Sequence, residues 1–256
     1  MDVDIDTAKE NTKCVILAAG ISSRLRPLTN DLPKCLLEVN GKTLLQRILN
    51  NVYAAGIHNI AIVVGYKAEK IREYLRVQFP QKRFRFILNP NYQTTNNAYS
   101  MFLARKFLEN QDGTITNNLL LLDSDLMFGE KLLLDFLSNN ARDKIAVRIQ
   151  GEHDTEEIGV VINEEMDITH IGKNQQSSIG ESIGIEYFSS QTTTVLFQAL
   201  EQRVRSGRGR TEFYETSFQQ IIDHGATLAM FDVGTHPVIE IDTRDDFQQA
   251  QLLKLD

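Results

Sequence analysis

Unbroken apolar runs alternate with amphipathic segments along the first half of the chain. Residues 14–19 form one such run, ended by Gly20, and residues 60–64 and 119–122 form two more. Between them, residues 43–55 place Leu44, Leu45, Ile48, Leu49 and Val52 at helical spacing ahead of Gly56, which predicts an amphipathic helix with a glycine stop. Residues 68–77 and 97–108 predict two further helices, and residues 84–88 a strand alternating with charge. Strands that read as continuous apolar runs are covered on both faces. The strand–helix alternation from residue 13 to about residue 140 therefore predicts an α/β fold with a doubly wound, mostly parallel, Rossmann-like sheet. Ligands in such sheets sit beyond the carboxyl ends of the strands, so the loops after Ala19, Val64, Leu88 and Leu122 are the places to inspect.

The second half is less regular. Strands are expected at 146–149, 159–162, 168–171 and 183–188, and helices at 194–204, 215–223 and 245–253. They form a small β-rich C-terminal extension of the first sheet. With no linker, repeat or low-complexity tract, the expectation is a short flexible tail, 1–12, followed by a single domain, 13–256.

Composition narrows the function classes. The 256 residues are 42% hydrophobic and 24% charged, ordinary for a globular protein. A formal net charge of −7 gives no overall attraction for nucleic acid or an anionic membrane. Recognition of phosphate must therefore be local, built from a few cations and backbone amides. Residues 1–13 are polar and acidic, without the apolar segment of a signal peptide. No apolar run approaches the roughly 20 residues that span a bilayer. The expectation is a cytoplasmic protein with no nucleic-acid partner and no membrane insertion. Cys14 and Cys35 lie in apolar runs and read as buried free thiols. The histidines His58, His153, His170, His224 and His236 are scattered and suggest no chemistry.

The loop after the first strand carries the strongest chemical signal. Gly20, Ser22 and Ser23 allow close backbone approach to phosphate, the serines add hydroxyl donors, and Arg24, Arg26 and Lys34 add charge. No Gly-Lys-Ser/Thr follows, so this is not a P-loop, and the single glycine rules out a dinucleotide fingerprint. Asp123 and Asp125 directly follow the apolar run 119–122. Ionised carboxylates there are costly unless compensated; they read either as a turn or helix cap or as a site for a hard cation such as magnesium.

The stretch Leu17-Ala-Ala-Gly-x-x-Ser-Arg-Leu-x-Pro-Leu-Thr-x-x-x-Pro-Lys34 closely resembles the signature loop of the nucleotidyltransferases that activate sugar 1-phosphates and related small phosphates. The likeness continues through Val64-Gly65-Tyr66, Asp123-Ser124-Asp125 and Glu240-Ile-Asp242-Thr, and it covers nearly the whole chain. The family usually has a second glycine where this chain has Ser22. The resemblance implies that Leu17, Ala18, Ala19, Gly20, Ser22, Ser23, Arg24, Gly65, Tyr66 and Ser124 hold the nucleotide. It also implies that Asp125 and Asp242 hold Mg2+, with Asp123 as a supporting or additional ligand, and that Arg24, Lys34 and Asp125 serve catalysis. Asp245 and Asp246 suit the start of the last helix, where negative charge is favourable.

The element Asn96-Asn97-Ala98-Tyr99-Ser100 resembles the branch of bacterial CTP:phosphocholine cytidylyltransferases, as do Gly180-Glu181-Ser-Ile-Gly-Ile185 and Glu212-Phe-Tyr-Glu215-Thr-Ser217. It implies transfer of CMP from CTP to a small phosphorylated or phosphonylated amino alcohol, with Asn96, Asn97, Tyr99, Glu181 and Glu215 around the acceptor. Phe213 and Tyr214 read equally well as core residues, and Glu215 as a helix N-terminal charge. The absence of tryptophan disfavours a quaternary-ammonium cage relative to a pocket for a smaller amine. A sugar-1-phosphate enzyme using UTP, dTTP or GTP and an idle nucleotide-sensing subunit are the rival readings. A homo-oligomer is left open.

Overall fold

The computed structural model describes residues 11–149, 157–173, 175 and 177–255. Thirteen strands and eight α-helices follow one another among these residues. The first half contains β1 (Thr12–Ala18), β2 (Glu38–Val39), β3 (Lys42–Thr43), α1 (Leu44–Ala54), β4 (Asn59–Val64), α2 (Ala68–Gln78), β5 (Arg85–Leu88), α3 (Asn97–Leu103), α4 (Arg105–Leu108), β6 (Asn118–Asp123), β7 (Leu126–Phe128) and α5 (Glu130–Ser138). The second half adds β8 (Lys144–Ile149), β9 (Gly159–Ile162), β10 (Ile168–Gly172), β11 (Gly180–Phe188), α6 (Ser190–Arg205), α7 (Glu215–Asp223), β12 (Ala229–Asp232), β13 (Val238–Glu240) and α8 (Arg244–Leu252). The expected tail segment 1–10 and His153 lie outside the described residues.

The central sheet is doubly wound, as its sequence pattern predicts. β5, β4, β1 and β6 are parallel neighbours, with Ala18 level with Val64 and Leu17 level with Asp123. Their carboxyl ends therefore share one edge. Alternate residues of β1 serve opposite faces, as the period of two requires. Cys14, Ile16 and Ala18 pack among α1, α2 and α5, while Val15 and Leu17 pack among α3, α6 and α7. Both faces are thus dry, and each fully buried leucine or valine contributes about 1.5–3 kcal/mol through apolar burial.

β11 joins the second half to this frame. It runs antiparallel to β6 through Ile185–Phe188, pairs with β9 at Gly180 and Glu181, and carries β8 along its other side. β12 extends the sheet beyond β8. Between Ser182 and Glu186 the β11–β8 register shifts, and Gly184 there takes a φ of +72°. The helix expected over 97–108 is two helices, α3 and α4, separated at Ala104.

A third, smaller core lies at the edge of the sheet. Leu25 from the first loop, Leu37, Val39, Leu44, Met127, Ile241 and Ala250 of α8 pack together there. Beside it, β7 and β13 form a short antiparallel ribbon with Glu240 opposite Leu126. Cys14 and Cys35 are free and buried, and burial pushes the Cys35 thiol up to about 12.

Candidate functional site

A cavity of about 970 Å³ opens at the carboxyl edge of the parallel strands. Its floor is the first loop. The amides of Gly20, Ile21 and Ser22 donate to no group among the described residues, leaving a run of free N–H donors beside the cavity. Ser22 sits at φ 53°, ψ 53°, the left-handed region that glycine enters without steric cost. The loop is held from outside: the Thr29 hydroxyl donates to Ser22 O at 2.8 Å, and Tyr66 OH donates to Thr29 O at 2.9 Å.

Three carboxylates and two cations meet at one side of this floor. Lys34 is only 6% exposed, and its ammonium donates to Asp125 Oδ2 at 2.7 Å and Asp242 Oδ1 at 2.5 Å. Arg24 bonds the other oxygen of Asp242 at 2.7 Å. Burial alone would lower the Lys34 pKa, but Asp125 and Asp242 outweigh it and hold the ammonium above its usual range. Burial likewise opposes ionisation of Asp242, and Lys34 and Arg24 reverse the balance, keeping that carboxyl low. The β7–β13 ribbon delivers the acids: Ile241 N donates to Asp125 O at 3.1 Å, and Glu240 and Asp242 follow at a spacing of two.

Oxygen atoms of Asp125, Glu240 and Asp242 lie within 4.8 Å of one another. Asp125 Oδ1 is buried with no hydrogen-bond partner among the described residues. An all-oxygen donor set with an unsatisfied buried oxygen fits a hard divalent cation. The sequence motif Glu240-Ile-Asp242-Thr assigns the metal to Asp242 and gives Glu240 no role, although its two-residue spacing from Asp242 on a strand end is the available signal.

The opposite wall is assembled from the second half of the chain. Arg148 bridges Glu181 Oε1 at 3.1 Å and Val238 O at 2.7 Å, tying β8 and β11 to β13. Glu215 opens α7, is 5% exposed, and has one buried oxygen, Oε2, without a hydrogen-bond partner among the described residues. Burial pushes its carboxyl up to about 7, with Lys173 pulling the other way. Lys173 lies 4.6 Å above the Phe213 ring. Asn96 caps α3 by accepting from Asn97 N at 2.8 Å, while Asn97 Oδ1 accepts from Tyr214 N at 3.0 Å.

Leu17, Ala18, Ala19, Gly20, Ser22, Arg24, Lys34, Asn96, Asn97, Ser124, Asp125, Glu181, Glu215 and Asp242 all line the cavity, as does Asp123. Ser23, Gly65, Tyr66 and Tyr99 lie outside its lining. Gly65 and Tyr66 instead shape the first loop. A Cβ on Gly65 would fall 2.7 Å from Ala19 O, and Tyr66 N donates to that same oxygen at 3.1 Å. Tyr99 packs against Phe102 beneath the Arg210 guanidinium, in the basic stretch 203–210. Asp246 accepts from the amides of Asp242 and Thr243 and completes the capping box of α8, the role expected of an acid at that helix start.

Residues 13–238 match the family described as Nucleotidyl transferase. A choline-phosphate cytidylyltransferase of Streptococcus pneumoniae is 39% identical over 98 residues, 38% of this chain and 41% of that protein. A 2-aminoethylphosphonate cytidylyltransferase of Lancefieldella rimae is 27% identical over 229 residues, 90% of this chain and 85% of that protein. The match thus spans less than half of the first relative and most of the second. Among solved structures, the CTP:phosphocholine cytidylyltransferase of Streptococcus pneumoniae superposes with a TM-score of 0.76 at 22% identity, covering 94% of this chain and 98% of that one, which shows a shared fold.

Proposed function

This chain belongs to the nucleotidyl transferase family, and from that premise we propose that it is a cytidylyltransferase, moving CMP from CTP to a small phosphorylated or phosphonylated amino compound with release of pyrophosphate. The observation that carries the reading is the convergence of Lys34, Asp125 and Asp242, with Glu240 alongside, against the free amides of the first loop.

The acceptor's own phosphate or phosphonate oxygen is the nucleophile. It attacks the α-phosphorus, the bond to the bridging oxygen breaks, and pyrophosphate leaves with that electron pair. No side chain needs to become a nucleophile, so catalysis is alignment plus stabilisation of charge. The amides of Gly20, Ile21 and Ser22 and the Arg24 guanidinium hold the triphosphate. Lys34, held fully charged in a buried position, meets negative charge at the reacting phosphates. Asp125, Glu240 and Asp242 would hold Mg2+, which supplies charge neutralisation at the phosphate oxygens when bound.

The amine reading rests on Glu215 and Glu181 in the far wall, and on the relatives named for choline phosphate and 2-aminoethylphosphonate. A cationic head group would complete the unsatisfied Glu215 Oε2. The test is pyrophosphate release with each of four nucleoside triphosphates against phosphocholine, phosphoethanolamine, 2-aminoethylphosphonate and glucose 1-phosphate. CTP with an amino acceptor is expected to give the highest kcat/KM. Preference for a sugar 1-phosphate would overturn the acceptor class, and absence of metal-dependent pyrophosphate release with every pair would overturn the transferase reading.

A further inference from the structure

The donor run on the cavity floor is aimed by two of its own carbonyls. Ala19 O accepts from Tyr66 N at 3.1 Å, and Ser22 O accepts from the Thr29 hydroxyl at 2.8 Å. Each carbonyl shares a planar, trans peptide unit with the amide that follows it, so the N–H groups of Gly20 and Ser23 point the opposite way. Like those of Ile21 and Ser22, these two amides donate to no group among the described residues. Fixing the two carbonyls therefore fixes the direction of the donors at both ends of the run 20–23.

Ser22 is the weak point of that run. Its φ of 53° and ψ of 53° lie in the left-handed region, which strains a serine and does not strain a glycine. The conformation needs support from outside. The backbone supplies one contact, from Leu25 N to Ser22 O at 3.2 Å. Thr29 supplies the shorter one. It is 0% exposed, and Ser22 O is the one hydrogen-bond partner of its hydroxyl among the described residues. Packing alone does not call for that hydroxyl, since valine has the same branched shape. Tyr66 closes the circuit. Its hydroxyl donates to Thr29 O at 2.9 Å while its amide holds Ala19 O, so one residue braces both ends of the donor run.

We propose that Thr29 is a positioning residue for the nucleotide, whose buried hydroxyl, braced by Tyr66, holds Ser22 left-handed and keeps the amides of residues 20–23 aimed at the phosphate chain. This rests on the nucleotide-binding reading of the cavity. A triphosphate then meets donors that are already ordered. Its apparent affinity is the intrinsic one multiplied by the fraction of molecules whose loop is so formed. Loss of the Thr29 hydroxyl lowers that fraction, and it does so only while residue 22 pays for a left-handed backbone.

A double-mutant cycle separates this role from mere packing. The proteins are the wild type, Thr29→Val, Ser22→Gly, the two changes combined, and Thr29→Ser as the conservative rescue. Isothermal titration with magnesium measures the binding of CTP and of the other three nucleoside triphosphates, and steady-state kinetics measures KM for each substrate. Thr29→Val is expected to weaken CTP about 5–10-fold, the scale of one lost hydrogen bond, with KM for the acceptor unchanged. Thr29→Ser keeps the hydroxyl and should restore the affinity. In the Ser22→Gly background the same valine should cost no more than about 2-fold, because glycine enters the left-handed region unaided. An equal loss in both backgrounds would make Thr29 a packing residue and overturn the proposal. Wild-type affinity in Thr29→Val, or no recovery in Thr29→Ser, would overturn it as well. If Thr29→Val does not fold, Tyr66→Phe takes its place in the cycle: a loss of CTP affinity relieved by Ser22→Gly supports the proposal, and unchanged affinity refutes it. Binding is read without turnover. A wild type that binds CTP and transfers nothing sinks the transferase reading, while the cycle still decides the role of Thr29; a wild type that binds none of the four triphosphates sinks both.

Discussion

At the scale of single residues, Lys34 is better placed than a loop lysine has reason to be. It is buried between two carboxylates, so Lys34→Ala should remove a preorganised charge and lower kcat/KM by about 2–4 kcal/mol of transition-state stabilisation. The geometry adds a second expectation. Without the ammonium, Asp125 loses its ion pair and Asp242 keeps only the exposed Arg24, so metal-free Lys34→Ala should melt below wild type and recover when magnesium is added; calorimetry with and without chelator measures this. Glu215 supplies the pH prediction. Its folded-state pKa, about 7, lies above the 4.5 of an ordinary glutamate. The folded protein therefore holds this proton more tightly than the unfolded chain, and stability falls as pH rises between those values and stays low above them. Glu215→Gln, neutral throughout, should lose that slope and be the more stable protein at pH 8. Only the ionised form attracts a cation, so KM for an amino acceptor should fall as pH rises through 7 in the wild type and stay flat in the variant.

At the scale of elements, two tight features can be broken without touching a ligand group. Gly184 combines a φ of +72° with close approach to Asp123. Alanine there costs about 1–2 kcal/mol for the left-handed backbone alone, before the carboxyl is displaced. Gly184→Ala should thus lower both the melting temperature and kcat. Thr243 caps α8 immediately after Asp242. Its replacement by alanine should cost about 1 kcal/mol and loosen magnesium binding, measurable by isothermal titration. Elements of this size mark the border of what the sequence discloses. β1, β4 and β6 are legible because a strand covered on both faces must be apolar throughout, and α1 because its buried stripe repeats with the helical period. The Gly20–Lys34 loop is legible because small residues and cations cluster at a strand end. The ribbon of β7 and β13 is not: three-residue strands have no period, and their partners lie far apart in the chain. For that reason the motif Glu240-Ile-Asp242-Thr leaves Glu240 without a role until the ribbon is seen.

At the scale of the whole molecule, a net charge of −7 and an acid-rich site place the burden of phosphate attraction on a few groups. The cavity is walled by both halves of the chain, so ligands should fasten those halves together. Magnesium with CTP at 100 times its dissociation constant should add about 2.7 kcal/mol of stability, roughly 5–10 °C in melting temperature for a chain of this size; either component alone should give less. The small core that joins Leu25 to Ile241 and Ala250 has one more consequence, and it concerns time. A polypeptide leaves the ribosome in order of its numbering. The parallel core from β1 to β6 can therefore form while later residues are still being added. Glu240 and Asp242 emerge long afterwards, and the residue that anchors α8 against the first loop later still. Throughout that interval the nascent chain carries the Gly20–Lys34 loop without Glu240 and Asp242, and of its two carboxylate partners Lys34 has only Asp125. On the proposed reading, competence to bind a metal–nucleotide pair therefore follows the parallel core and waits on the synthesis of residues 240–250, so a chain cut before Glu240 should bind no metal–nucleotide pair, as isothermal titration would show.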